Sequence, residues 1–438
     1  MAGKNKILSR YIYPYFTENV DKLTEVLDTS ASAWERSSYT PRYLALCVDA
    51  HFEENSGSRD ITTYRLKDGK IGLNGFPELK EELSLTSCFL RNREPEDYNF
   101  SFDKFTLWVF STGIVLLVAD VKYPEGYSLK DVTDFSYAFT RLFNTKKELA
   151  TESTENLVRL EYAGGGFSME GLLKAMLGGE LASPLYTLED DQTQAYHIFY
   201  DERDEEIKEE EWKPCARALV RGLHSSSRLD DSDEGYLSYS PNTGIEWYAT
   251  QMGLVSYNHA VPVQGFNNVE RHFDNAGKDY FTLYLMAFHE REFLQYINYL
   301  MIKDRNVKNI EKLNKRVLEF NTVYSQKNIS TQKNFQTFYE RLTELMGIDD
   351  IGDDVTEVAA GLKEYQEKKQ EKRSNILSTA LSVFGIMEIF TNSLELVDRF
   401  SGSGEYGPMG PGHIFVLIVD VIFVALIVLW FLITKKEK

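Results

Sequence analysis

The sequence has few cysteines and no excess of positive charge, and each absence excludes a class of protein. Only three cysteines occur among the 438 residues, Cys47, Cys88 and Cys215, and they are widely spaced. This pattern suggests neither a disulfide framework nor a zinc site, and it fits a reducing compartment best. Lys and Arg total 48 against 67 Asp and Glu, a net charge of −19. Direct nucleic-acid binding is not expected, because proteins that bind nucleic acid carry a basic surface.

Motifs that carry catalytic chemistry are also missing. The glycines at 164–166 and 178–179 are not followed by Lys and Ser or Thr, so they do not form a phosphate-binding P-loop. No H-E-x-x-H motif occurs, although His289 is followed by Glu290. The serines at 225–227 lack the G-x-S-x-G setting of a hydrolase. We therefore expect that the chain is not an enzyme and predict no catalytic residue.

One long apolar run stands out against a mean hydropathy of −0.35. Residues 414–434 are almost all apolar, and a helix of this length spans about 31 Å, the thickness of the hydrocarbon core of a bilayer. Three lysines follow in residues 435–438. We predict a transmembrane helix over 414–434, with a basic tail in the cytoplasm.

A second transmembrane helix is predicted over residues 375–400. Polar residues recur there at intervals of three and four, so they form one stripe along a helix. Within a bilayer such a helix is expected to line a water-filled pore made with neighbouring copies of the chain. The predicted pore-lining residues are Ser378, Ser382, Gly385, Glu388, Asn392 and Glu395. An interfacial or soluble amphipathic helix is the alternative.

Charge around these two segments predicts their orientation. Lys368, Lys369, Lys372 and Arg373 precede the first segment, whereas residues 401–413 between the two contain neither Lys nor Arg. Basic residues favour the cytoplasmic side, so this Gly- and Pro-rich loop is expected to face outward. The N-terminus has no long apolar core, and no signal peptide is expected there. The prediction is a multi-pass protein of the inner or plasma membrane with both termini in the cytoplasm.

Residues 1–270 are predicted to form a cytosolic α/β domain with a mixed sheet, which would act as a sensor. Strand-like and helix-like patterns alternate in this region. Ser128 is predicted to cap a helix that runs to Leu142, with Asp131 in its first turn. The residues 201–211 are mostly acidic and are expected to be a solvated loop or helix face, with a site for a divalent ion or a partner as the alternative. Strands are predicted over 43–52, 61–66, 105–110 and 114–121.

Residues 271–374 are predicted to form a stalk region of long helices. Helical periodicity covers 280–301, 308–326 and 331–346, and Gly347 and Gly352 are expected to interrupt it. From residue 355 the pattern continues without proline into the first predicted span. One helix of about 40 residues, from Thr356 to about Val397, is therefore predicted to enter the membrane.

This arrangement resembles the CorA family of two-span channels. The likeness rests on the α/β domain, the long stalk helix, the basic tail and an outward loop that contains Tyr406, Gly407 and Met409. The family's Gly-Met-Asn signature is incomplete here, because Pro408 follows Gly407 and the Asn is missing. The resemblance implies a homopentamer whose first span lines the pore, and it does not extend to magnesium selectivity.

A divergent CorA branch that accompanies type III CRISPR systems is similar as well. This similarity implies an antiviral effector channel gated by a nucleotide messenger, the S-adenosylmethionine–AMP conjugate. A messenger of this kind needs basic side chains and an aromatic platform for adenine. The predicted ligand-binding residues are Trp212, Arg217, Arg221, Arg228 and Trp247. Two alternatives remain: a housekeeping CorA-type transporter of magnesium or another divalent cation, whose cytosolic acids sense the ion, and a membrane-anchored enzyme or adaptor.

Overall fold

The computed structural model describes residues 6–29, 33–39, 41, 44–52, 60–67, 82–87, 96–141, 158–162, 165–167, 194–201, 209–227, 245–250, 253–259, 274–303, 307–324, 328–400 and 418. Within this part of the chain there are eleven strands and eight α-helices. The chain divides into two compact units, Met1–Ala359 and Ala360–Lys438, and each is described by itself.

The strands of the first unit form one connected sheet. They are β1 (Lys6–Phe16), β2 (Trp34–Arg36), β3 (Ile61–Leu66), β4 (Leu83–Ser87), β5 (Glu96–Phe110), β6 (Ile114–Lys122), β7 (Val158–Tyr162), β8 (Gly165–Phe167), β9 (Gln194–Asp201), β10 (Ile245–Thr250) and β11 (Gly253–His259). The order is β10-β11-β9-β1-β6-β5-β4-β7-β8, and β3 pairs with both β5 and β2. Among the described strand pairs only β9–β11 is parallel.

The helices follow in chain order around and after the strands. They are α1 (Val20–Leu27), α2 (Leu46–Asp49), α3 (Leu129–Arg141), α4 (Glu209–Val220), α5 (Phe281–Lys303), α6 (Val307–Val323), α7 (Lys333–Leu345) and α8 (Ile348–Phe400). A 3-10 turn spans Ala50–Phe52, and a π-helical turn, Ala276–Tyr280, leads into α5. The predicted α/β class is wrong, because the described strand pairs are antiparallel except for β9–β11, and half of the described helices follow the last strand instead of alternating with strands.

Helices cover both faces of the sheet, because successive side chains of a strand point to opposite faces. On one face Tyr11 of β1 packs against Phe135 and Phe139 of α3. On the other face Phe16, also of β1, stacks on Tyr296 of α5 at a ring-centroid distance of 3.5 Å. The first unit therefore has three layers, and β6 in the middle is buried along almost its whole length.

The predicted hairpin around residues 105–121 and the predicted helix after Ser128 are both confirmed. Strands β5 and β6 are joined by a tight turn in which Gly113 has a φ of 96°. At the start of α3, Asp131 Oδ2 accepts hydrogen bonds from the Ser128 backbone N–H and hydroxyl, and the Asp131 N–H donates to Ser128 Oγ. This reciprocal pattern is a capping box, which satisfies backbone donors that the first helical turn leaves free.

Two local predictions were wrong. The strand predicted over 43–52 is wrong, because Leu46–Asp49 form α2 and a 3-10 turn follows over Ala50–Phe52. Leu44, just before the helix, and Val48 within it are both buried. Gly352 lies inside α8 and does not interrupt it. The interruption predicted at Gly347 is confirmed, since this residue has a φ of 63° between α7 and α8.

The predicted transmembrane hairpin is also contradicted. No helix within the described residues is long and apolar enough to cross a membrane. The first predicted span, 375–400, is helical as part of α8, but its serines, Asn392, Glu388 and Glu395 lower its hydropathy too far. This finding overturns the membrane-channel class and the multi-pass localisation in the inner or plasma membrane. The outward loop 401–413, the second span 414–434 and the tail 435–438 lie outside the described residues, apart from Ile418.

Candidate functional site

An unusual concentration of exposed apolar side chains lies on α8. Ile376, Leu377, Val383, Phe384 and Met387 are between 37% and 70% exposed. At 100° per residue these five positions fall within an arc of about 120° on one side of the helix, whereas Leu381 and Ile389, 63% and 67% exposed, lie outside it. We call this set the α8 apolar face. Contiguous apolar surface of this kind marks interaction sites on proteins.

The predicted pore-lining residues lie mainly on other sides of α8. Ser378 and Ser382 are exposed and lie on the side opposite Met387, and the Ser382 hydroxyl donates to the Ser378 carbonyl at 2.8 Å. Glu388 and Asn392 are exposed, and Gly385 is partly buried. The side chain of Glu395 and the loop residues Tyr406, Gly407 and Met409 lie outside the described residues. The pore-lining role of these residues is not tested and stays a prediction.

The predicted nucleotide-binding residues are only partly brought together. Arg217 on α4 and Arg221 just after it are both half-buried. Trp212, one helical turn before Arg217, is only 2% exposed and packs in a core cluster with Leu129 and Phe199. Burial leaves little of this ring for stacking on adenine, since a stacking platform has to be open to the base. Arg228 and the side chain of Trp247, a residue of β10, lie outside the described residues.

A polar cluster that the sequence did not predict centres on the buried side chain of Asp134 in α3, which is only 1% exposed. Its Oδ1 accepts a hydrogen bond from the Ser225 N–H at 2.7 Å, and its Oδ2 accepts one from the Ser225 hydroxyl at 2.8 Å. Oδ2 also accepts from the Lys130 ammonium at 3.0 Å. This carboxylate raises the pKa of Lys130 above its ordinary value. The Lys130 ammonium is thus the positive charge that balances Asp134.

His224 reaches the same carboxylate from the turn after α4. Its Nε2 lies 3.3 Å from Asp134 Oδ1, and its side chain is 7% exposed. The Ser226 N–H donates to Nδ1 at 3.1 Å, so Nδ1 is the unprotonated nitrogen and Nε2 carries the proton that faces Asp134. The Ser226 hydroxyl lies 2.9 Å from Nδ1 as well, and the ring packs edge-on against Tyr137.

Glu96, the first residue of β5, completes the cluster. One ligand atom each from Glu96, Asp134 and His224 can be chosen so that all three lie within 4.8 Å of one another. Glu96 is exposed, and its Oε2 accepts a hydrogen bond from the Tyr98 hydroxyl at 2.5 Å. Burial and this bond raise the pKa of Tyr98 well above its usual range, so the phenol stays protonated. We call these three residues the Glu96–Asp134–His224 cluster.

Sequence reasoning missed this cluster because its members are far apart in the chain. Glu96 and Asp134 are separated by a hairpin, and His224 follows Asp134 90 residues later. A lone histidine carries no spacing signal. Only the packing of α4 on α3, seen in the hydrogen bond from the Thr133 hydroxyl to the Cys215 carbonyl, brings His224 to Asp134.

Two further buried polar groups hold the fold together. Arg10 of β1 pairs with Asp120 of β6 at 3.2 Å, donates to the Gly277 carbonyl and lies over the ring of Phe281. Glu290 of α5 accepts a hydrogen bond from the Tyr339 hydroxyl of α7. Burial raises the pKa of Glu290 to about 8. Neither group combines the accessibility and clustered ligand atoms of the Glu96–Asp134–His224 cluster.

A comparison of the chain with profiles of protein families finds no match, and a comparison with curated proteins likewise finds none. The resemblance to the CorA family therefore stays a prediction.

Proposed function

We propose that this chain is the subunit of a homo-oligomeric regulatory protein, assembled through the α8 apolar face and controlled by a small ligand. The observation that supports assembly is the exposure of Ile376, Leu377, Val383, Phe384 and Met387 along one side of a helix. Side chains of this size are normally removed from water. A partner surface is therefore expected to cover them.

The spacing of the apolar residues indicates that the partner covering the α8 apolar face is a second copy of the same helix. Ile376, Ala380, Val383 and Met387 follow one another at intervals of four, three and four residues. This is the a/d spacing of a coiled coil, in which each helix packs against identical positions of its neighbours. The same spacing continues in the sequence to Phe390, Leu394 and Val397.

The width of the apolar face favours a bundle of more than two helices. Leu377 and Phe384 lie beside the a/d seam and are 64% and 70% exposed. A seam of a and d positions alone suits a two-stranded coiled coil, whereas apolar residues at a third heptad position suit a larger bundle. This width agrees with an assembly of several subunits, and the homopentamer implied by the CorA resemblance remains the proposed number.

The free energies of side-chain burial and of association predict that single substitutions can prevent this assembly. Full burial of one large apolar side chain contributes roughly 1.5–3 kcal/mol. Association costs about 4–15 kcal/mol in lost translational and rotational freedom. Several side chains of the α8 apolar face must therefore be buried together for a stable oligomer, and a charge placed within the face should abolish it.

The test compares a charge on the α8 apolar face with the same charge on the other side of the helix. Met387→Glu places a carboxylate in the a/d seam, and Ser378→Glu places one on the opposite, exposed side. A buried carboxylate without a partner costs several kcal/mol, so Met387→Glu should weaken association at least about 100-fold. Light scattering over a concentration series measures the mass of the full chain. If Met387→Glu assembles at the same protein concentrations as the wild type, the proposal is contradicted.

The proposed controlling ligand is the nucleotide messenger implied by the CRISPR-associated CorA branch. The half-buried Arg217 and Arg221 support it, because guanidinium groups bind phosphate in a bidentate manner. Isothermal titration with the S-adenosylmethionine–AMP conjugate measures binding to the wild-type chain and to Arg221→Ala. We expect binding that the substitution weakens at least tenfold. Equal binding heats for the wild type and Arg221→Ala would show that Arg221 does not bind this ligand.

A further inference from the structure

The Glu96–Asp134–His224 cluster has a composition that suits a metal ion. Two carboxylates and one imidazole combine oxygen and nitrogen ligands, and they come from three separate elements of the first unit. Asp134 and His224 are almost completely buried, so their positions are fixed by packing rather than by chance encounters at the surface. The two negative charges of the carboxylates equal the charge of one divalent cation.

We propose that Glu96, Asp134 and His224 bind a zinc ion, with the fourth coordination position left to water or a substrate atom. Zinc sites with three protein ligands and one open position use these ligand types. Nitrogen and oxygen ligands at about 2.0–2.2 Å from a tetrahedral ion lie roughly 3.3–3.6 Å from one another. His224 Nε2 and Asp134 Oδ1 already lie 3.3 Å apart. Rotation of the exposed Glu96 side chain brings in the third ligand.

The Lys130 ammonium pairs with the second oxygen of Asp134, Oδ2, and so competes electrostatically with a metal ion for this carboxylate. It lies 3.0 Å from Asp134 Oδ2, and its side chain is 62% exposed. An exposed lysine swings into water at little cost, because its long side chain keeps its charge solvated in many rotamers. Zinc binding to Asp134 therefore competes with the ion pair to Lys130, and rotation of the lysine side chain into water relieves the competition.

His224 has hydrogen-bond partners for both of its neutral forms. Without an ion, the Nε2–H faces Asp134 and Nδ1 accepts from the Ser226 N–H. With zinc on Nε2, the proton moves to Nδ1 and donates to the Ser226 hydroxyl, which lies 2.9 Å away, and the Ser226 N–H gives up its bond to Nδ1. Metal-bound histidines commonly donate their other ring N–H to a nearby oxygen, which fixes the orientation of the ring. Ser226 is thus the residue that orients His224 in the zinc-bound form.

Calorimetry on the full chain tests this site. The chain is first treated with a chelator and then titrated with Zn²⁺, with Mg²⁺ in a parallel titration. We expect one equivalent of Zn²⁺ to bind at micromolar or lower concentration and Mg²⁺ not to bind at this site, because Mg²⁺ prefers oxygen ligands and retains its waters. Absence of Zn²⁺ binding would overturn the proposal, and so would equal binding of Mg²⁺.

Substitutions within the cluster test whether the one bound Zn²⁺ ion lies at Glu96, Asp134 and His224. Glu96→Gln removes an exposed ligand and should lower the affinity for that equivalent at least tenfold, whereas Asp97→Asn, a change at the neighbouring exposed carboxylate, should leave it unchanged. His224→Gln should abolish the equivalent. If His224→Gln does not fold, the surface variants still decide the question. An unchanged titration for Glu96→Gln would place the ion elsewhere.

Lys130→Ala should change the zinc affinity in the direction opposite to Glu96→Gln. Removal of the competing ammonium should raise the zinc affinity several-fold, although the substitution deletes an ion pair with Asp134. A purely structural role of this cluster predicts no such gain. Weaker zinc binding by Lys130→Ala would contradict the displacement of the lysine and with it the proposed arrangement.

Discussion

The buried carboxyl group of Glu290 makes the stability of the fold depend on pH in a direction opposite to that of ordinary acidic residues. Burial raises its pKa from 4.5 to about 8; the hydrogen bond from Tyr339 lowers it and the charge of Asp349 raises it. Between these two values the folded chain holds a proton that the unfolded chain has released. The free energy of unfolding therefore falls as pH rises through this interval.

The size of this effect follows from the pKa difference. Each pKa unit corresponds to about 1.36 kcal/mol, so the rise from 4.5 to about 8 corresponds to roughly 5 kcal/mol at most. Glu290→Gln keeps the size of the side chain and an oxygen that accepts from Tyr339, but it cannot ionise. We expect the variant to match the wild type near pH 4.5 and to exceed its stability by several kcal/mol at pH 9.

Urea unfolding at half-unit intervals from pH 4.5 to 9 measures this difference. Subtracting the variant from the wild type cancels the contributions of buried histidines such as His197, whose pKa burial lowers to about 3. Glu344→Gln, at an exposed residue of α7, is the matched control and should show a much smaller pH-dependent difference. A difference between wild type and Glu290→Gln that does not grow with pH would refute the reasoning.

Four further predictions concern the first unit, each checked by urea unfolding against the wild type. Gly113→Ala should cost about 2 kcal/mol or more, because Gly113 has a φ of 96° and a Cβ there would lie 2.5 Å from the Thr17 carbonyl oxygen. Phe135→Ala should cost about 3–5 kcal/mol, because its fully buried ring leaves a cavity; a loss below 1 kcal/mol would place it outside the core. Arg10→Met should cost about 3 kcal/mol by leaving Asp120 with only the more exposed Lys104 as its ionic partner among the described residues. Ser128→Ala should cost about 1 kcal/mol by removing the cap of α3, and Ser128→Asp should restore most of it.

Local patterns were sufficient to predict the elements whose signals are contained in one segment. The hairpin of β5 and β6, the capped start of α3 and the long helices α5 to α8 follow from periodicity, capping residues and a glycine with positive φ. The strand prediction at 43–52 failed because a short apolar run suits a strand or a buried helical turn equally well.

The sheet order and the polar cluster required information that no single segment contains. Strand β1 pairs with β6 on one side and with β9, almost 190 residues later, on the other. His224 lies beside Asp134 only because α4 packs on α3. The spacing of residues along the chain carries no record of these contacts.

The amphipathic part of α8 shows why the first predicted span is wrong although its periodicity is real. Polar and apolar residues on separate sides of a helix predict a pore lining and a lipid-facing side. The same pattern suits a helix that packs against copies of itself, because a coiled-coil seam also needs one apolar side and one polar side. The a/d spacing from Ile376 to Met387 fits packing against copies of the helix, which both interpretations share, so it supports the proposed self-assembly without deciding between them.

Cross-linking through the α8 apolar face tests the central claim, self-assembly, most directly. Met387→Cys places a thiol in the proposed seam, and Ser378→Cys places one on the opposite side of the same helix; both retain Cys47, Cys88 and Cys215. A short bismaleimide should join two Met387→Cys chains of 50.4 kDa into a covalent dimer at low protein concentration and should join Ser378→Cys chains no more than the wild type. Equal cross-linking of the two variants would contradict the account.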